Sequence, residues 1–243
     1  MNSDITYHGK VVVFDLDDTL FRERDFCRSG FHFLCDPNAY RAIDTDDYPS
    51  QDQLASLEKR MDEALSKREN PFSHFDSFFS PIALNKGSAW DLQRHIDAYR
   101  SHLPSRLNFA GGVEDTLIRL AAQGIKMALI TDGRSKTQRN KIKALGLDRF
   151  LAPELILISE ETGCDKHSKD MFATVVRYFP EARCFYYVGD NPEKDFYWPN
   201  LLGWTSIQAP YHPDNVHPAS DPKSALHTPA FTLPSFTDLI SHI

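Results

Sequence analysis

The chain has 243 residues, 41% of them apolar and 25% charged, with a formal net charge of -7. That balance describes a globular protein with a substantial core. It argues against broad binding to nucleic-acid polymers or anionic membranes, because no basic stripe is present to neutralise phosphates.

Lys10 to Phe14 is a short apolar run rich in β-branched residues and reads as a buried parallel strand. It leads directly into Asp15-Leu16-Asp17-Asp18-Thr19-Leu20. Asp15 and Asp17 therefore stand at the carboxyl edge of a sheet, where open α/β folds place their ligands. Two carboxylates this close repel unless a cation or a shared proton lies between them. Near a bound Mg²⁺, one oxygen can attack phosphorus while the second carboxylate handles the proton. The segment thus points to phosphoryl transfer.

The next stretch is helical in pattern. Phe26, Phe33 and Leu34 fall on one predicted helix, and Leu54, Leu57, Met61 and Leu65 on a second. Leu92, Ile96, Tyr99 and Leu103 mark another, with Ser88 expected as its cap and Asp91 three residues on. Asn70-Pro71 and Ser80-Pro81 are expected to break the stretch. Phe72, Phe75, Phe78, Phe79 and Trp90 could stack a nucleobase or sugar, but read better as the core of a small helical unit. An all-helical insertion over residues 21–108 is expected, with residues 1–20 and 109–243 forming a second, discontinuous domain.

From Gly111 strands and helices alternate. A helix from Gly112 to Gln123 carries Val113, Leu117 and Leu120 and closes at Gly124. Strands are predicted at Ile125–Ile130, Leu155–Ile158, Cys184–Val188 and Trp204–Ile207. Between them lie a basic helix from Ser135 to Leu145 and a helix from Lys169 to Phe179. This alternation implies an α/β fold with a doubly wound parallel sheet. The tail after Pro210 reads as loop until Phe231-Thr232-Leu233 and a closing helix to Ile243.

In a parallel sheet these strand ends lie along one edge. They bring Asp15, Asp17, Thr131, Asp190 and Asp195 together, with Lys166 in the loop after the third strand. A nucleophile, an acid/base, a hydroxyl donor, a cation and metal-binding carboxylates are what phosphoryl transfer requires.

Asp15-Leu16-Asp17-Asp18-Thr19-Leu20, Ile130-Thr131-Asp132-Gly133, Lys166 with Phe172, and Gly189-Asp190-Asn191-Pro192-Glu193-Lys194-Asp195 resemble the four ordered motifs of the haloacid dehalogenase (HAD) superfamily. The resemblance spans Val11 to about Ile207 and implies a Rossmann-like core with an inserted α-helical cap domain. It also implies a phosphatase that hydrolyses a small phosphomonoester, a nucleotide or a sugar phosphate, through an aspartyl-phosphate. In that scheme Asp15 is the nucleophile and Asp17 the acid/base. Thr131, with the backbone of Asp132 and Gly133, holds the phosphoryl oxygens. Lys166 neutralises charge, and Mg²⁺ sits on Asp15, the backbone carbonyl of Asp17 and Asp190. Asp195 supports the ligands or joins them.

Two residues depart from the family pattern. His167 follows Lys166 where Pro is usual, which leaves Lys169 as the competing lysine; Phe172, six residues after Lys166, favours Lys166. Asp132 stands where Asn is commoner and is expected to turn away from the phosphate or pair with Arg134. A phosphomutase is the alternative within the superfamily, and a non-catalytic HAD scaffold the alternative outside enzymes. Cys27, Cys35, Cys164 and Cys184 form no CxxC pair and read as reduced thiols. No apolar run approaches the roughly twenty residues of a membrane span, and no secretion signal is visible at the start. A cytoplasmic location is expected.

Overall fold

A computed structural model describes residues 9–243. In chain order, β1 (Lys10–Phe14) is followed by four helices: α1 (Glu23–Cys35), α2 (Gln51–Ser66), α3 (Pro71–Asn85) and α4 (Leu92–Ser101). Then come α5 (Val113–Ala122), β2 (Lys126–Thr131), α6 (Ser135–Leu145), β3 (Ile156–Ile158), α7 (Ser159–Thr162) and α8 (Lys169–Tyr178). β4 (Cys184–Gly189), α9 (Tyr197–Leu201), β5 (Thr205–Gln208), β6 (Phe231–Thr232) and α10 (Leu239–His242) complete the chain. It divides into two compact units, Glu23–Ser105 and the remainder.

Among the described residues six strands form one sheet in the order β3-β2-β1-β4-β5-β6, every neighbouring pair parallel. β1 lies inside the sheet, so Val11, Val12, Val13 and Phe14 are all buried rather than alternating. Val11 and Val13 point into one core with Ala128, Ile130 and Tyr187, which Met171, Phe172 and Val175 of α8 cover. On the opposite face Phe14 stacks on Phe236. Gly146, in the left-handed conformation at φ 67°, ends α6 as a glycine C-cap. Among the described residues no helix is long and apolar enough to cross a membrane.

The C-terminal residues depart from the expected single closing helix. A 3₁₀ turn at Phe236–Asp238 precedes only four residues of α10, and Phe236 and Leu239 bury the turn. The segment before β6 packs on the core. The Val216 N–H donates to Asp18 Oδ2 at 2.8 Å, and Asn200 Nδ2 donates to the carbonyls of Leu226 and Thr228 at 2.8 and 2.9 Å.

The helical unit has its own core. Leu54, Leu57 and Met61 bury one face of α2. Gly30 of α1 lets α4 approach, because a Cβ there would lie 2.3 Å from the Tyr99 ring. Three sequence expectations fail here. Asp91, not Ser88, caps α4, and the helix ends at Ser101, leaving Leu103 50% exposed. Pro71 does open α3, but Pro81 lies inside it. An interior proline costs about 3 kcal/mol. Phe75 and Phe79 are both fully buried, and burial of two such rings, at about 1.5–3 kcal/mol each, offsets that cost.

His95 sits in this core, 2% exposed, with its ring 4.3 Å from Trp90 and its Nδ1 2.7 Å from the Tyr40 hydroxyl. Burial, assisted by Arg94, lowers its pKa from 6.5 to about 4. Between those values the unfolded chain binds a proton that the folded chain refuses. Stability is therefore complete above about pH 6.5 and declines toward about pH 4, by up to about 3 kcal/mol. Thermal unfolding from pH 7 to 4.5 should follow this slope. His95→Gln should flatten it; an equal slope in that variant would exclude His95 as its source.

Candidate active site

β1 delivers Asp15 to the sheet edge, where its N–H continues the ladder onto the Val188 carbonyl at 2.9 Å. Its buried carboxylate accepts from Thr19 Oγ1 at 2.8 Å on Oδ2 and from Lys166 Nζ on Oδ1. The Lys166 ammonium also donates to Asp195 Oδ1 at 2.8 Å. Lys169, in contrast, opens α8 and is exposed.

Asp195 is completely buried and fixed on every side. Tyr187 Oη donates to its Oδ1 at 3.2 Å, and the Asn191 N–H to its Oδ2 at 2.8 Å. The carboxylate lies over Gly189, where a Cβ would sit 2.4 Å from Oδ2. That contact explains the glycine at the end of β4. Gly189→Ala should push Asp195 off Lys166 and destabilise the fold by about 1–3 kcal/mol. An unchanged melting temperature would show that the carboxylate can move aside without loss.

Ligand oxygens of Asp15, Asp190 and Asp195 lie within 4.8 Å of one another. Burial pushes the Asp15 carboxyl up to about 7, opposed by Lys166 and reinforced by Asp195. Burial also drives Asp190 well above the carboxylate range, with repulsion from Asp15, Asp195 and Asp18 adding to it. Burial pulls on Lys166 in the opposite direction, yet Asp15 and Asp195 outweigh it and hold the ammonium well above the usual lysine range. The cluster is short of positive charge, and its donors are all oxygen, so a hard divalent cation fits.

Asp17 is turned elsewhere. Its Oδ1 pairs with Lys141 Nζ at 2.7 Å and its Oδ2 accepts from Gln138 Nε2 at 2.8 Å. Its side chain is not in the three-carboxylate group. Thr131, at the end of β2, is buried and accepts from the same Gln138 Nε2 at 2.6 Å. Asp132 does not turn to Arg134; its Oδ1 accepts the Lys166 backbone N–H at 3.1 Å. The Gly133 N–H is already engaged by Ser159 Oγ at 2.8 Å, so a phosphate can use it only if that bond opens. The first turn of α6 is occupied in the same way, with the Ser135 N–H donating to Glu160 at 2.8 Å.

Gln138 and Lys141 escaped the sequence reading, which treated Ser135–Leu145 only as a basic helix. A signal was present. Gln138, Lys141, Ile142 and Leu145 fall at i, i+3, i+4 and i+7, the spacing of a buried helical face, and all four are buried. Two polar residues on an apolar stripe need polar partners inside.

The family model for haloacid dehalogenase-like hydrolases matches residues 12–197. A glyceraldehyde 3-phosphate phosphatase of Pyrococcus abyssi is 26% identical over 203 residues, covering 83% of this chain and 82% of that protein. A ribulose-1,5-bisphosphate 5-phosphatase of Halopiger xanaduensis is 29% identical over 150 residues, covering 60% and 62%. Among solved structures, a HAD-hydrolase of Bacillus subtilis bound to magnesium superposes with a TM-score of 0.59 at 19% identity, covering 96% of this chain and 97% of that one. At that identity the likeness speaks for the fold. The chain belongs to the haloacid dehalogenase-like hydrolase family.

Proposed function

We propose that this chain is a cytoplasmic, Mg²⁺-dependent phosphatase that removes phosphate from a small phosphorylated carbohydrate through an aspartyl-phosphate. The observation that carries this reading is the Asp15–Lys166–Asp195 chain beside Asp190, a buried set of carboxylates with one fixed cation. The Asp15 oxygen attacks phosphorus, and the substrate oxygen leaves with a proton from Asp17. Asp17 then removes a proton from the water that cleaves the acyl phosphate. Thr131 and Lys166 bind the equatorial oxygens. Asp15, Asp190 and the carbonyl of Asp17 would hold Mg²⁺, with Asp195 behind them; when bound, the ion offsets charge on the phosphoryl group.

Two observations favour a carbohydrate over a nucleotide. Both curated relatives described above carry names of phosphatases acting on phosphorylated sugars or trioses. Of the rings that could have stacked a base, Phe75 and Phe79 are fully buried and so closed to one. The helical unit is proposed as the cap that sets specificity.

The test is hydrolysis of glyceraldehyde 3-phosphate, pentose phosphates, phosphoserine and nucleoside monophosphates, with Mg²⁺ and with chelator. Release of phosphate from the sugar or triose esters that chelator abolishes is expected. Preference for nucleotides would overturn the substrate class, and phosphate transfer between positions of one sugar would favour the mutase.

A further inference from the structure

The strongest unassigned feature is a pair of polar residues on the buried face of α6. Lys141 is 3% exposed, an unusual place for an ammonium, and makes its 2.7 Å ion pair with Asp17 while lying 5.9 Å from the Phe21 ring centroid. Gln138 is 1% exposed and reaches Asp17 at 2.8 Å and Thr131 at 2.6 Å through the same nitrogen. A carboxylate only accepts, so the atom facing Asp17 must be the amide N–H₂. Thr131 Oγ then receives one of those protons, and its own hydroxyl proton is directed elsewhere.

We propose that Gln138 and Lys141 are positioning residues, one helical turn apart, that hold the Asp17 carboxylate in a single orientation and couple it to the Thr131 hydroxyl. The inference rests on the phosphatase reading above and deepens it. Asp17 is half-buried, and both of its oxygens are held from α6. Proton transfer needs the carboxylate within hydrogen-bond reach of the leaving oxygen and of water, and a carboxylate free to rotate spends little time there. The link to Thr131 gives the oxygen-binding hydroxyl a fixed acceptor geometry, which frees its proton to donate to a phosphoryl oxygen. Lys141 and Gln138 touch neither phosphorus nor metal in this scheme; they act through Asp17 and Thr131.

A double-mutant cycle tests this. Lys141→Met and Gln138→Leu are made in the natural chain and in the Asp17→Asn background, and kcat and KM are measured on p-nitrophenyl phosphate. In the natural chain each should lower kcat by roughly 10–10²-fold, a part of the 10²–10⁴-fold attributed to general acid–base catalysis. For Lys141→Met, KM should stay within about threefold, since ground-state binding is untouched. In the Asp17→Asn background Lys141→Met should cost nothing further, because the group it serves is gone. Lys141→Arg should recover most of the rate. Equal losses in both backgrounds, or a change confined to KM, would overturn the positioning role while leaving the phosphatase reading intact. A natural chain inert toward every phosphomonoester would overturn that reading, and this inference with it. If Lys141→Met does not fold, Lys141→Gln carries the same cycle.

Discussion

Asp15→Asn is expected to abolish turnover, with a loss of at least about 10⁴-fold in kcat, because the amide oxygen is too poor a nucleophile to form an acyl phosphate. The fold should survive. The substitution removes a carboxyl that burial already pushes up to about 7, and it relieves repulsion of Asp190 and Asp195. Thr19 can still donate to the amide oxygen. The measurement is p-nitrophenyl phosphate hydrolysis beside far-ultraviolet circular dichroism and thermal unfolding. A folded Asp15→Asn protein with near-natural activity would remove Asp15 from the chemistry and, with it, the covalent mechanism.

Lys166→Met should damage both activity and stability, in contrast to the first variant. The ammonium is buried between Asp15 and Asp195 and bonds to each. Its loss leaves two buried carboxylates without their shared cation, a change that typically costs about 3–5 kcal/mol when one partner of a buried pair is removed. Part of that cost should return on adding Mg²⁺, which supplies the missing charge at the same carboxylates. Activity should fall by at least about 10³-fold, since charge on the phosphoryl oxygens is no longer offset. Thermal unfolding with and without Mg²⁺ separates the two effects. A Lys166→Met protein as stable and as active as the natural chain would assign the site's cation to another residue.

The fold was legible because three strands of the sheet end on a chemical marker. β1 runs into Asp15, β2 ends on Thr131 and β4 precedes Asp190, so periodicity and site chemistry pointed to the same sheet edge. Lys166 was harder to place from sequence because it lies in a loop, with Lys169 close by. What stayed hidden was set by tertiary contact. Nothing local marks His95 as the residue that α4 buries, since the apolar pattern of Leu92, Ile96 and Tyr99 runs beside it. Gln138 and Lys141 were masked by the other charges of α6, although their spacing with Ile142 and Leu145 marks a buried face. Pro81 misled because a local rule for proline met two fully buried rings that override it.

The borders of the sheet carry a consequence of their own. β3 has three residues and β6 has two, while the longer strands lie between them. A neighbouring molecule that tried to dock by extending the ladder would find only a few open peptide groups on either side. Such brevity is a known safeguard against strand-to-strand aggregation. Crowded molecules of this chain should therefore remain separate more readily than a parallel sheet bounded by full-length strands.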